Sequence, residues 1–133
     1  MPKLLTSLLL GAAVLATPAL AAPRETPEMR LQKMLEGRVA GAPVNCIAQG
    51  PGISSTIVDG KAIVYRSGRT LYVNEPESDP RALRGDDILV TRTFGSQLCS
   101  TDVVQMVDRL GGFPRSPVFL GKFVPYTKPE AAR

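Results

Sequence analysis

The stretch IVDGKAIVYRSGRTLYVN, residues 57–74, decides the fold. Apolar and β-branched side chains recur through it with a period of two. Asp59-Gly60 and Ser67-Gly68 interrupt the pattern where a chain can reverse. Asp-Gly suits a two-residue hairpin turn, because glycine takes positive φ without steric cost. The reading is three strands, Ile53 to Val58, Lys61 to Arg66 and Arg69 to Asn74, joined as a meander. In the middle strand Ile63 and Tyr65 share one face, and Ala62, Val64 and Arg66 share the other.

Outward from this meander the same period continues. Val44 to Ala48 is a strand set off by Gly50-Pro51-Gly52. Asp87 to Phe94, Val103 to Arg109 and Val118 to Val124 are further strands, the last closing the sheet, and Gly111-Gly112-Phe113-Pro114 turns the chain before it. Val90, Arg92 and Phe94 share a face, so Arg92 belongs at a rim or beside a partner. Glu75 to Asp86 carries Pro76 and Pro80 among charges. It reads as a solvated loop with one helical turn near Arg81 to Leu83. Upstream, Thr26 caps a helix, Pro27 opens it and Glu28 meets its dipole. Leu31, Met34 and Leu35 form its apolar stripe, and Gly37 or Gly41 ends it. The expected fold is mainly β, a small antiparallel β-barrel or sandwich of six or seven strands preceded by one short N-terminal helix.

The first 21 residues, MPKLLTSLLLGAAVLATPALA, read as an address. Lys3 provides the positive start, Leu4 to Ala16 the short apolar run, and Ala19-Leu20-Ala21 the small residues at a cleavage site before Ala22. The apolar run is shorter than the ~20 residues a membrane span needs, so no transmembrane helix is expected after processing. The expected organisation is signal peptide 1–21, leader and short helix 22–42, β domain 43–126, and a flexible tail 127–133. The expected location is the periplasm.

Composition narrows the chemistry. The chain carries 16 Lys and Arg, 12 Asp and Glu, and no His. Loss of Lys3 with the signal leaves a small positive excess without the basic stripe that nucleic acid requires, so nucleic acid is set aside. The lack of His removes Ser-His-Asp and Cys-His catalysis and most zinc sites. Cys46 and Cys99 are the only cysteines, and an oxidising compartment makes them a disulfide candidate. Asp86 and Asp87 are adjacent, so on a strand they point to opposite faces and cannot act as a dyad. Asp102 and Asp108 flank one strand and can approach Asp86 or Asp87 from it; the plainer reading makes Asp86, Asp87 and Asp102 strand-end solubilisers and turn formers. No catalytic residue, metal ligand or cofactor is expected.

The basic residues offer one candidate site. If strands 61–66 and 69–74 lie beside 87–94, Arg66, Arg69 and Arg92 share a surface and can hold an anionic group by bidentate contacts. The plainer reading is solvated residues that deter edge pairing. The aromatic side chains Tyr65, Tyr72, Tyr126, Phe94, Phe113, Phe119 and Phe123 read as core.

CIAQ at 46–49, the hairpin segment at 57–74, TRTFGSQLCSTDVV at 91–104 and FLGKFVPY at 119–126 resemble a family of small exported proteobacterial proteins known as a domain of unknown function. The resemblance spans Val44 to Tyr126. Gln97-Leu98-Cys99-Ser100-Thr101-Asp102 and Gly121 to Tyr126 are its most specific parts. Members of that type carry further cysteines in the charged loop and near the final strand, so this chain resembles a single-bridge branch. The resemblance implies export and a compact β domain, and it transfers no catalytic residue. Two functions follow as expectations. One is a non-enzymatic envelope module binding an anionic envelope component or a protein. The other is a secreted inhibitor of a lytic enzyme such as lysozyme. In size, bridge and β build the chain is similar to C-type lysozyme inhibitors. Their S-G-x-x-Y loop here has one residue more, Ser67 to Tyr72.

Overall fold

The computed structural model describes residues 11–130. Helix α1 spans Pro27–Leu35, capped as the sequence predicts: the Thr26 side chain accepts from the Met29 N–H at 3.2 Å. Gly37, at φ +71°, turns the chain out of it.

Among the described residues ten strands follow: β1 (Val39–Ala40), β2 (Cys46–Ala48), β3 (Ile53–Val58), β4 (Ala62–Ser67), β5 (Thr70–Asn74), β6 (Ile88–Thr91), β7 (Gln97–Cys99), β8 (Val103–Val107), β9 (Pro114–Phe119) and β10 (Phe123–Thr127). They form three antiparallel sheets, with strand orders β1-β10-β5-β4-β3, β2-β7 and β6-β8-β9. The mainly β class and the single helix are as expected; the strands number ten and not six or seven, and they do not close into a barrel. The five-stranded sheet ends in open edges at β1 and β3. Its tail-end strand reaches Thr127, which pairs with Val39, so that residue belongs to the sheet and not to a tail.

The meander at 57–74 forms with one change of turn. Val58 pairs with Ala62, so Asp59-Gly60-Lys61 is a three-residue loop, not a two-residue one. Gly60 alone has positive φ, +63°, whereas a two-residue turn of the mirror type needs it at two positions. The loop is also docked: Gly60 N donates to Leu83 O at 3.0 Å, and the Asp59 carboxylate accepts from Gly85 N. Between β4 and β5, Ser67 pairs with Thr70 and Gly68, at φ +56°, leads a two-residue turn.

The two faces of β4 divide the interior as the alternation predicts. Ala62 and Val64 join Val58, Leu71, Val73 and Leu31 of the helix in a smaller core. Ile63 and Tyr65 face a larger one with Ile47, Leu98, Val104, Met106, Val118, Leu120 and Phe123. The five-stranded sheet is therefore a middle layer, with the helix on one side and the two small sheets on the other.

The strand expected over Val118 to Val124 is two strands in different sheets. The chain leaves β9 at Phe119 and enters β10 at Phe123, crossing at Gly121. A Cβ at Gly121 would collide with the Glu75 carbonyl, so only glycine passes. Buried Asn74 brackets the crossing, donating to Gly121 O at 2.7 Å and accepting from Gly121 N at 3.0 Å. β9 holds Pro114 and Pro117 and lies at a sheet edge, where a missing N–H is harmless. The loop before β6 has its helical turn at Pro80–Ala82, but it is not wholly solvated: Leu83 and Asp87 are buried.

The Tyr65 ring meets Phe123 edge to face at 5.8 Å, and its buried hydroxyl has no hydrogen-bond partner among the described residues. Burial pushes the phenol's pKa upward. Tyr65→Phe removes an unsatisfied polar group and keeps the ring, so we expect stabilisation of about 1 kcal/mol, read by urea unfolding. A loss of stability would mean the hydroxyl has a partner in solution.

Candidate functional site

The three candidate arginines do not come together. β4 lies between β3 and β5, whereas β6 pairs with β8, so the adjacency that would unite them is not formed. Arg66 is exposed on the face of β4 that carries Ala62 and Val64, toward the helix layer. Arg69 sits in the β4–β5 turn. Its carbonyl accepts from Arg38 Nη1 at 2.7 Å, and the same nitrogen donates to Tyr126 O at 3.3 Å. Arg92 lies beyond the end of β6, across the middle sheet from Arg66. Arg38 has no motif around it; only the fold brings it to the hairpin.

Arg92 opens onto a cavity of about 510 Å³ on the outer side of the three-stranded sheet. The register Val90↔Gln105 and Thr91↔Val104 brings Val90 and Arg92 of one strand beside Gln105 and Val103 of the other. Phe94 borders the cavity and is fully exposed, and Thr101 and Asp102 complete the lining from the loop before β8. Val90, Arg92 and Phe94 thus share a face, and Arg92 is exposed at a rim as expected. Arg92 forms no ion pair among the described residues.

The aromatic reading needs correction here. Tyr65 and Phe123 are core and Tyr72 and Tyr126 pack against it, but Phe94, Phe113 and Phe119 are exposed. Phe119 is opposite Val103 on the outer face, where Ile88, Val90 and Val103 are also exposed. No second layer covers that face among the described residues, and alternation alone does not reveal which face lacks one.

Cys46 and Cys99 are directly opposed in β2 and β7 and form the disulfide. The bridge abuts the cavity wall, because Asp102 Oδ2 accepts from Cys99 N at 2.7 Å and Asp102 N donates to Cys99 O at 2.9 Å. Asp102 is thereby a turn former. Of the other aspartates, Asp59, Asp79, Asp87 and Asp108 are also engaged. Asp79 holds Arg81 at 2.8 Å. Asp86 is exposed and Asp87 buried, but both lie in the turn before β6 and not on the strand that the alternation assigns to Asp87. Arg115 joins Asp87 at 3.1 Å to Asp108 at 3.0 Å. The Gly111 N–H, and then Arg115, hold the Asp108 carboxyl below its ordinary range. The stabilisation this carries is present above the ordinary carboxylate pKa and is lost as pH falls through the lowered value.

Arg115→Met would strand the Asp87 carboxylate in the interior. We expect a loss of about 2–3 kcal/mol in urea unfolding, just under the ~3–5 kcal/mol of a fully buried pair because Arg115 is partly exposed. A loss below about 0.5 kcal/mol would mean that Asp87 finds another partner.

Ser67 ends β4, Gly68-Arg69 forms the tip of the β4–β5 hairpin, and Tyr72 lies within β5 against the larger core. Among the described residues no three His, Cys, Asp or Glu side chains gather to hold a metal ion, and no helix is long and apolar enough to cross a membrane. The chain matches no family model, no curated protein and no solved structure.

Proposed function

We propose that this is an exported periplasmic binding module without enzymatic activity, and that it holds an anionic envelope component or protein at the Arg92 cavity. The observation that carries the reading is an unpaired guanidinium at the mouth of an open cavity whose lining mixes apolar and polar groups. Structural roles for Asp59, Asp79, Asp87, Asp102 and Asp108 support binding over catalysis, because each already holds a backbone N–H or an arginine.

Export rests on the N-terminal pattern, to which the fold adds one supporting fact. Residues 1–10 of that segment lie outside the described residues; in the remainder Val14, Leu15 and Leu20 are almost fully exposed, so the domain does not use them. N-terminal sequencing of the protein from a periplasmic fraction should begin at Ala22. An unprocessed Met1 there would remove the proposal of a cleaved signal.

The binding reading is tested by Arg92→Gln against a paired Arg66→Gln, Arg69→Gln control. Anionic lipid vesicles and envelope glycans should be captured less by the first variant, with a flatter salt dependence, and equally by the control. The melting temperature should be unchanged, because Arg92 is exposed. Lysozyme inhibition that survives Arg92→Gln would favour the inhibitor reading. Hydrolytic turnover lost on Asp102→Asn would make the protein an enzyme.

A further inference from the structure

The cavity's chemistry narrows its ligand. One cation, Arg92, and one carboxylate, Asp102, line it, so its net charge is near zero and a simple anion gains little from its field. Recognition there depends on directed hydrogen bonds. Arg92 offers a planar set of donors. Gln105 has committed its amide nitrogen to Met106 O at 3.0 Å and to Arg115 O, which leaves its oxygen as an acceptor. Asp102 has one oxygen on Cys99 N and the other free to accept, and the Thr101 hydroxyl does both. Donors and acceptors are thus interleaved within one small lining, the pattern that a polyhydroxylated ligand complements.

The apolar groups agree with this. Phe94 is fully exposed at the rim and presents a flat face on which the C–H side of a sugar ring can lie. Val90 and Val103 supply the rest of the apolar surface. An acyl chain would need an apolar channel, and here four of the seven lining residues are polar or charged. The volume, about 510 Å³, lies within the ~300–1,000 Å³ usual for small-ligand sites.

We propose that the Arg92 cavity binds a carboxylate-bearing saccharide, with the carboxylate on Arg92, hydroxyls on Thr101, Asp102 and Gln105, and a ring face on Phe94. The assignment rests on the binding reading above.

The test is an NMR titration of the whole exported chain, labelled with ¹⁵N. Four probes are used: the disaccharide N-acetylglucosaminyl-N-acetylmuramic acid, its neutral counterpart di-N-acetylchitobiose, dodecanoate, and sulfate. The acidic disaccharide should shift the amides of residues 90–94 and 101–105 saturably, about tenfold more tightly than the neutral one, equivalent to ~1.4 kcal/mol. Arg92→Gln should erase that difference. Phe94→Ala should weaken both sugars about fivefold with the melting temperature unchanged, as stacking on an exposed ring implies. Equal binding of the two sugars overturns the carboxylate assignment. Dodecanoate or sulfate shifting these amides while the sugars do not overturns the saccharide class and leaves the binding reading intact. If no probe shifts them the saccharide class falls. If Arg92→Gln also leaves envelope capture unchanged, the binding reading falls with it.

Discussion

Replacing Cys46 and Cys99 together by alanine will lower the free energy of unfolding by about 4 kcal/mol. The bridge closes a sequence separation of 53 residues, and the chain-entropy cost of leaving so long a loop open in the unfolded state sets that size. At roughly 4–8 °C per kcal/mol for a domain of this size, the melting temperature should fall by at least ~15 °C. The double variant is the right one, since a single substitution leaves a free thiol. Urea unfolding of the oxidised chain beside the variant measures the difference. A change below ~1 kcal/mol would mean that the unfolded chain is already constrained near the bridge, or that strain offsets the gain. Non-reducing mass spectrometry of periplasmic material should also show the mature mass less two hydrogens.

Asn74→Ala is expected to cost about 3 kcal/mol, because it strands two polar groups at once. Both hydrogen bonds run to the backbone of Gly121, and Asn74 is wholly buried. Asparagine is suited to the position because its amide carries a donor and an acceptor on one planar group. An aspartate there would offer no donor to the Gly121 carbonyl and would bury a charge, so Asn74→Asp should be at least as damaging. Gly121→Ala probes the same crossing from the other side, through the collision with the Glu75 carbonyl. Urea unfolding reads all three. A loss under ~1 kcal/mol for Asn74→Ala would show that water reaches the crossing.

Local chemistry was legible in the sequence and lateral pairing was not. Thr26, Pro27 and Gly37 bound the helix because capping and backbone preference act within a few residues. The two faces of β4 followed from strict alternation. By contrast, no local signal separates Val118, buried in β9, from Phe123, buried in β10, although they lie in different sheets. Gly121 marks the break, but a glycine within an apolar run also fits a bulge or an ordinary strand. Asn74 read only as the last residue of a strand, because its partner lies far along the chain. The arginine grouping failed for the same reason: it depended on β6 lying beside β4 or β5, and strand order is set by which apolar faces bury best together. The disulfide was legible because a two-cysteine inventory leaves one intramolecular pairing. The cavity was visible only as a face shared by Val90, Arg92 and Phe94, without any sign that β8 would close its other side.

The place of β10 in the middle sheet has a consequence in time. It lies between β1 and β5, so the second strand of that sheet is made after the other nine described strands. A nascent chain stopped at Gly121 would hold the β3–β4–β5 meander with its β5 edge bare as well as β3, and the β1 strand without a partner. Folding to completion must therefore await Thr127, and such long-range closure is slow compared with the hairpins that precede it. For a chain exported as proposed, that delay keeps the polypeptide threadable during translocation, and the final strand locks the sheet only on the far side of the membrane.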